Sequence, residues 1–367
     1  MMTVRSDVVG SLLRPPELLA ARRRLAAGQA GGGEFQAIED RAVDEAIALQ
    51  EQAGLQVVTD GELRRTSFQS GLVDSVDGFG EVPLEAYLWG EWQGAGPDSW
   101  AVERPAGLGV RSRLRRLRFS AAEEFAYLRG RTSRIPKVTL SSPGLYANLW
   151  SPEVSGGAYP TLDAFLADVV ALLRDEVAEL ARLGATYVQL DAPHYALLLD
   201  PRTRAFYEDR GWPAECWLAQ GVDLDNAVMA GYPAVTFGLH LCRGNQRSRW
   251  LVSGDYGPLA GLFRQTAAQR LLLEYDDDRS GSFEPLRQVP EDKLVVLGLV
   301  STKSDRLESP DELRDRIHQA ARCIDLERLA LSPQCGFASS LLGNEIAPET
   351  QLAKLELVAR TTAAMWG

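Results

Sequence analysis

Short apolar runs, most of them closed by a polar residue, recur eight times along the chain and predict strands over 7–10, 56–59, 137–140, 187–190, 235–240, 271–274, 294–299 and 328–331. Runs of this length bounded by turn residues fit strands buried on both faces. Between most of them the apolar positions change period. The clearest predicted helix spans about 161–183, where Leu162, Phe165, Val169, Leu172, Leu173, Val177, Leu180 and Leu183 recur mostly at steps of three and four. Thr161 can cap it after Pro160, and Gly184 can end it. Comparable helices are expected at about 35–53, 257–270, 310–323 and 348–365.

Strands alternating with helices imply parallel pairing with right-handed crossovers, and a count of eight favours a closed (β/α)₈ TIM barrel over an open doubly wound sheet. Residues 1–367 are therefore expected to form one α/β barrel domain. One stretch breaks the rhythm. Residues 71–135 are too long for an ordinary βα loop and hold Trp89, Trp92 and Trp100 beside Gly94, Gly96 and Pro97, so a β-rich insertion after strand 2, lying over the barrel mouth, is expected. Its basic run, Arg111 to Arg118, reads either as a solvated strand face paired with acidic surface or as a site for an anionic substrate tail.

Composition narrows the function classes. A formal charge of -11 over 367 residues disfavours nucleic-acid binding, which needs a basic face for phosphates. The opening residues lack the apolar core of a signal peptide, and no apolar run approaches a membrane span, so a cytoplasmic protein without membrane partners is expected. Its partners are expected to be small molecules, and a homo-oligomer is left open. Cys216, Cys242, Cys323 and Cys335 are too dispersed for a disulfide framework. Reduced thiols available to a metal fit better.

In a barrel of this kind, chemistry gathers where strands end. Ser11 follows the first predicted strand, Asp60 and Glu62 the second, Asp191 the fourth, His240 and Cys242 the fifth, Glu274 the sixth, Lys303 the seventh and Cys335 the eighth. His240 and Cys242 share a face if the strand stays extended. Alone, this pair suits a buried structural contact as well as a metal. With Glu274 and Cys335 it would offer one imidazole, two thiolates and a carboxylate, a donor set suited to zinc, provided the fold brings them together.

The strand-end motifs resemble the catalytic carboxyl-terminal barrel of the cobalamin-independent methionine synthase family. The matching segments are Val9-Gly10-Ser11, Thr59-Asp60-Gly61-Glu62, Gln189-Leu190-Asp191-Ala192-Pro193, His240-Leu241-Cys242, Glu274 with Arg279-Ser280, and Pro333-Gln334-Cys335-Gly336. The chain looks like the single-barrel branch, without the amino-terminal barrel of the long form. The resemblance implies Zn²⁺ held by His240, Cys242, Glu274 and Cys335, and a homocysteine-like thiol activated as thiolate for S-methylation in methionine biosynthesis. It further implies that Glu62 and Asp191 cradle the substrate ammonium, and that Val9, Gly10 and Ser11 receive the same amino acid. Cobalamin is not expected as a prosthetic group.

Three positions depart from the long form. Lys303, in Ser301-Thr302-Lys303-Ser304, stands where that family has a proton-donating histidine, and His194 offers an alternative acid or a merely packed imidazole. Ala192 and Leu197 replace glutamates, the latter a folate contact, and Trp150 aligns one residue late for the tryptophan that lines the folate pocket. The methyl donor, 5-methyltetrahydrofolate or another, is therefore open. The rival expectations are thiol addition to another electrophile, as in epoxide-opening coenzyme M transferases, a non-catalytic zinc or ligand-binding barrel, and a metal-free decarboxylase-like barrel.

Overall fold

The computed structural model describes residues 3–82, 91–94, 100–101, 107–209 and 211–367. The strands are β1 Val57–Val58, β2 Val76–Glu81, β3 Glu91–Trp92, β4 Trp100–Ala101, β5 Leu108–Arg116, β6 Ile135–Pro136, β7 Val138–Ser141, β8 Tyr187–Asp191, β9 Thr236–Leu241, β10 Arg270–Glu274, β11 Leu294–Val300 and β12 Leu329–Pro333. Strands β7 to β12 form one six-stranded parallel sheet in sequence order. Nearly every residue in these six strands is buried. Continuous apolar character, rather than alternation, is what burial on both faces demands.

The two ends of that sheet carry further pairings. Ser6 bridges Leu331 in parallel, and the Asp7 amide donates to the Leu331 carbonyl at 3.0 Å. β1 pairs in parallel with β6, immediately before β7. Thr59 Oγ1 then donates to the Gly10 carbonyl at 2.6 Å, and the Leu12 amide donates to the Gly61 carbonyl at 3.0 Å. The predicted first strand is thus an extended segment held by isolated bonds, because its side of the sheet is stitched by side chains as well as backbone.

Helices pack outside the strands. The longest, Leu162–Arg182, begins where Thr161 Oγ1 accepts from the Ala164 amide at 3.2 Å and buries Phe165, Leu166, Val169, Leu173, Val177 and Leu180. It ends at Gly184, whose φ of 91° lets the Ala185 amide donate to the Leu180 carbonyl at 2.9 Å. Only glycine takes this turn without strain. Helices Gly32–Gln52, Pro310–Ala320 and Pro348–Trp366 lie where the period predicts them. The helix expected over 257–270 stops at Gln265, because Lys293 Nζ takes the Thr266 and Ala268 carbonyls at 2.7 and 2.8 Å and fixes an extended lead into β10.

The segment 71–135 differs in part from expectation. β2 pairs antiparallel with β5, and β3 with β4. Its last third is instead the helix Ser120–Arg129, with Ala121, Ala122, Phe125 and Leu128 buried on one face. Trp89 lies outside the described residues. Along the basic run, Arg113 and Arg115 meet Asp168 and Asp77 at 3.1 and 3.0 Å on a solvated strand face, whereas Arg116 meets the buried Glu176 at 2.6 Å. Among the described residues, no helix is long and apolar enough to cross a membrane.

Candidate metal centre and cavity

Strand β9 delivers His240 and Cys242 to one face, and the turn after β12 brings Cys335 against them. Their ligand atoms all lie within 4.8 Å of one another, and all three residues are buried. The two sulfurs are 3.3 Å apart and the thiols are free. His240 Nδ1 lies 3.3 Å from the Leu272 carbonyl, which assigns the proton to that nitrogen. Nε2 is buried without a partner among the described residues. A lone pair buried and unused beside two sulfurs could be taken up by a metal ion.

The thiols share charge unequally. The hydrogen bond from Cys242 holds the Cys335 thiol well below the usual range, against burial, and His240 adds to the effect. The same bond, reinforced by burial, pushes Cys242 up. Burial alone would lower His240, but the neighbouring Cys335 and the charges of Asp191 and Glu274 raise it.

Glu274 ends β10 and is fully buried, but it is not one of the three clustered ligands. Its Oε2 accepts from the Arg243 amide at 2.8 Å, and its Oε1 lies 3.4 Å from both Lys303 Nζ and Arg279 Nη2. Burial would raise this carboxyl, yet Lys303, Arg279 and Arg243 override it and hold it at about 2. Lys303 in turn is disfavoured as a cation by burial, but Glu274 and Asp276 raise it above the ordinary lysine range. An ammonium so held is a counter-charge for Glu274.

A cavity of about 310 Å³ opens on this cluster. Val9, Ser11, Glu62 and Asp191 line it together with His240, Cys242 and Cys335. Gly10 lies behind, where a Cβ would come within 2.3 Å of Glu62 Oε1, so only glycine lets the first strand approach this carboxylate. Gly336 is similar, since a Cβ there would fall 2.0 Å from Ser11 Oγ.

Both carboxylates are positioned from outside the cavity. Glu62 sits at φ 55°, a left-handed conformation unusual for a residue with a side chain, and its Oε1 accepts from Thr139 Oγ1 at 2.8 Å. Thr139 is held by Arg65 at 2.9 Å, and Arg65 by Glu124. Glu62 Oε2 is buried without a partner among the described residues. Asp191 Oδ1 accepts from Gln189 Nε2 at 2.7 Å. Burial raises Asp191 to about 7, with His240 opposing and Glu62 adding to the rise.

Of the predicted site residues, Gly10, Glu274 and Lys303 stand behind the cavity lining, and His194 and Trp150 lie elsewhere. His194 packs between Tyr195 and Trp217, with centroids 4.1 and 6.3 Å away, and neither ring nitrogen has a partner among the described residues. Burial lowers it to about 3, so it is a neutral core imidazole and no acid. Trp150 donates its indole N–H to the Tyr159 carbonyl at 3.0 Å and packs against the main core. Conversely, sequence reasoning passed over Leu251, named Trp92 only among the tryptophans of the insertion, and took Leu197 only as a departure. All three line the cavity and cluster with Val252 apart from the main core. The signal available was the tryptophan density of the insertion, but nothing in periodicity shows which surface such a ring covers.

Strand ends converging on a buried imidazole and two thiols define an α/β protein with its chemistry at one rim of the sheet. A family model, the catalytic domain of cobalamin-independent synthase, matches residues 160–348. The chain is 32% identical over 367 residues to the uncharacterized protein YxjH of Bacillus subtilis (strain 168), covering 99% of this chain and 94% of that one. It is 26% identical to the methionine synthase of Pyrococcus furiosus, covering 93% of this chain and 88% of that one. A solved B12-independent methionine synthase from Shewanella sp. W3-18-1, in complex with selenomethionine, matches with a TM-score of 0.73 at 16% identity, over 99% of this chain and 98% of that one. At that identity the likeness is one of fold. The chain belongs to the cobalamin-independent methionine synthase family.

Proposed function

We propose that the chain is a zinc-dependent S-methyltransferase that methylates a homocysteine-like thiol, built on a closed (β/α)₈ barrel whose inserted hairpin reaches the cavity. The bonds from Ser6 and Asp7 to Leu331, and from Thr59 to Gly10, support closure. Free thiols suit the cytoplasm. The observation that carries the functional reading is the buried triad of His240, Cys242 and Cys335 at the cavity floor, with His240 Nε2 unused.

The donor set fits zinc. One imidazole and two thiolates, with Glu274 the fourth ligand inferred from family resemblance, are borderline-soft donors of the kind zinc takes. When bound, zinc supplies the positive charge that keeps a substrate thiol deprotonated near neutral pH. The chain's own residues do the rest. Leu272 fixes the His240 tautomer through its carbonyl. Glu62 Oε2 and the Asp191 carboxylate are acceptors for the substrate ammonium, while Ser11 Oγ and the nearby backbone suit its carboxylate. Lys303 and Arg279 anchor Glu274.

The test is to measure zinc content and homocysteine methylation in the same purified protein. One zinc per chain and methionine formation, both lost in Cys335→Ser, support the reading; a stoichiometric absence of zinc in fully reduced protein supplied with the metal overturns it.

A further inference from the structure

Two unlike groups of residues line the cavity. One carries the sulfurs, the imidazole and the carboxylates of Glu62 and Asp191. The other is a wall of Trp92, Leu197 and Leu251, continued by Phe68. Trp92 comes from β3, and its hairpin is fixed by paired backbone bonds between Gln93 and Trp250, at 2.6 and 3.0 Å. The Trp92 indole N–H is buried and has no acceptor among the described residues. No lysine or arginine is among the described lining residues, so the charges facing the cavity are acidic.

An acidic cavity with aromatic faces repels a polyanionic ligand and attracts a compact cation. Aromatic rings beside carboxylates are how proteins hold methylated onium groups, by attraction to the ring face without hydrogen bonds from the cation. The volume of about 310 Å³ lies at the lower end of ligand pockets, roughly 300–1,000 Å³, and must also admit the thiol.

We propose that the methyl donor is a compact onium compound, a sulfonium or a quaternary ammonium, seated against Trp92, Phe68, Leu197 and Leu251. This rests on the thiol-methylation reading above. The thiol proton leaves to solvent when the thiolate forms. The sulfur lone pair then makes the new C–S bond, and the pair of the broken C–S⁺ or C–N⁺ bond stays on the leaving atom. The products are two neutral groups, the methyl thioether and a second thioether or a tertiary amine, and the departing group needs no proton. Trp92 is the specificity-determining residue of this wall, and its N–H is available to an acceptor elsewhere on the donor.

The experiment gives zinc-loaded protein homocysteine with one of four methyl-labelled donors: S-methylmethionine, glycine betaine, and 5-methyltetrahydrofolate bearing one or three glutamates. Labelled methionine from either onium arm, faster than from both folates, is expected, and the two onium arms identify which class is used. Faster transfer from a folate overturns the proposal. Methyl iodide serves as a control for thiol activation. If it is used while neither onium is, the donor assignment alone fails; if it is not used either, the thiol-methylation reading fails and the donor assignment with it. Trp92→Phe keeps most of the ring area and Trp92→Leu removes the aromatic face. The Leu variant is expected to raise KM for the onium donor at least about tenfold with KM for homocysteine unchanged, and Phe less. Equal loss for both substrates overturns the specificity role, and circular dichroism of both variants reads folding separately.

Discussion

Two buried polar clusters lie on the same strands, one near where they begin and one where they end, and they are built to opposite specifications. At the beginning, Asp7 Oδ1 accepts from Lys137 Nζ and from the Val8 amide at 2.8 and 2.9 Å. Asp7 Oδ2 accepts from Tyr187 and Arg270 at 2.7 and 3.2 Å. Lys137 also donates to the Val8 carbonyl and, at 2.9 Å, to Gln189 Oε1. The Asp7 carboxylate and the Lys137 ammonium are fully engaged. At the strand ends, by contrast, His240 Nε2, Glu62 Oε2 and Asp60 Oδ2 are buried without partners among the described residues. A saturated cluster fixes a fold and has nothing left to offer; an unsaturated one costs stability and is retained where a ligand completes it.

The sharpest way to break this contrast is to remove the hub of the saturated cluster. Asp7→Ala leaves Lys137 and Arg270 as buried cations without their carboxylate, and a loss of about 3–5 kcal/mol in chemical denaturation is expected, with zinc affinity of the surviving folded protein retained. Cys335→Ser should do the reverse. Denaturation of the metal-free protein is expected to change little, while zinc affinity, read by competition with a chelator, falls by more than the roughly 10–100-fold that follows loss of a supporting residue. If the two variants behave alike, the division of labour along the strands is wrong.

The carboxylates of the cavity come next in size. Glu62→Gln removes a charged acceptor for the substrate amine, so KM for homocysteine is expected to rise about 10–100-fold while KM for a des-amino thiol is unchanged. A uniform rise would mean that Glu62 only shapes the site.

The smallest effect is one of pH and concerns a third buried carboxylate. Asp225 accepts from Ser142 and Tyr195 at 2.6 and 2.7 Å, and burial, outweighing those bonds, raises it to about 7. The folded value lies above the ordinary 3.8, so the folded form favours the protonated acid. Its contribution to stability is fully present below about pH 4 and is lost as pH rises toward 7. Asp225→Asn is expected to flatten that part of the stability profile, as measured by denaturation at several pH values; an unchanged slope would show that Asp225 does not titrate there.

Legibility in the sequence follows the same divide. The strands of the parallel sheet were readable because burial on both faces leaves an unbroken apolar run, and β7, β8, β10 and β11 begin or end within a residue of their predicted limits. His240, Cys242 and Cys335 were readable because strand ends share a rim. Positions set by a side chain's direction were not. His194 follows a strand end, as the functional residues do, yet its ring turns toward Trp217 and the core. Lys303 stands after strand β11 as expected, but Glu274 and Asp276 capture it. Helix Ser120–Arg129 has a clear apolar face and was hidden only by the tryptophan- and glycine-rich excursion before it. The wall of Trp92, Leu197 and Leu251 brings together parts of the chain that no local pattern relates.

The most direct measurement of the central claim is X-ray absorption at the zinc edge with and without homocysteine. Zinc with two sulfur neighbours at rest and three after homocysteine is added is the expected result. An unchanged sulfur count, with homocysteine shown to be bound, would contradict thiol activation at the cluster of His240, Cys242 and Cys335.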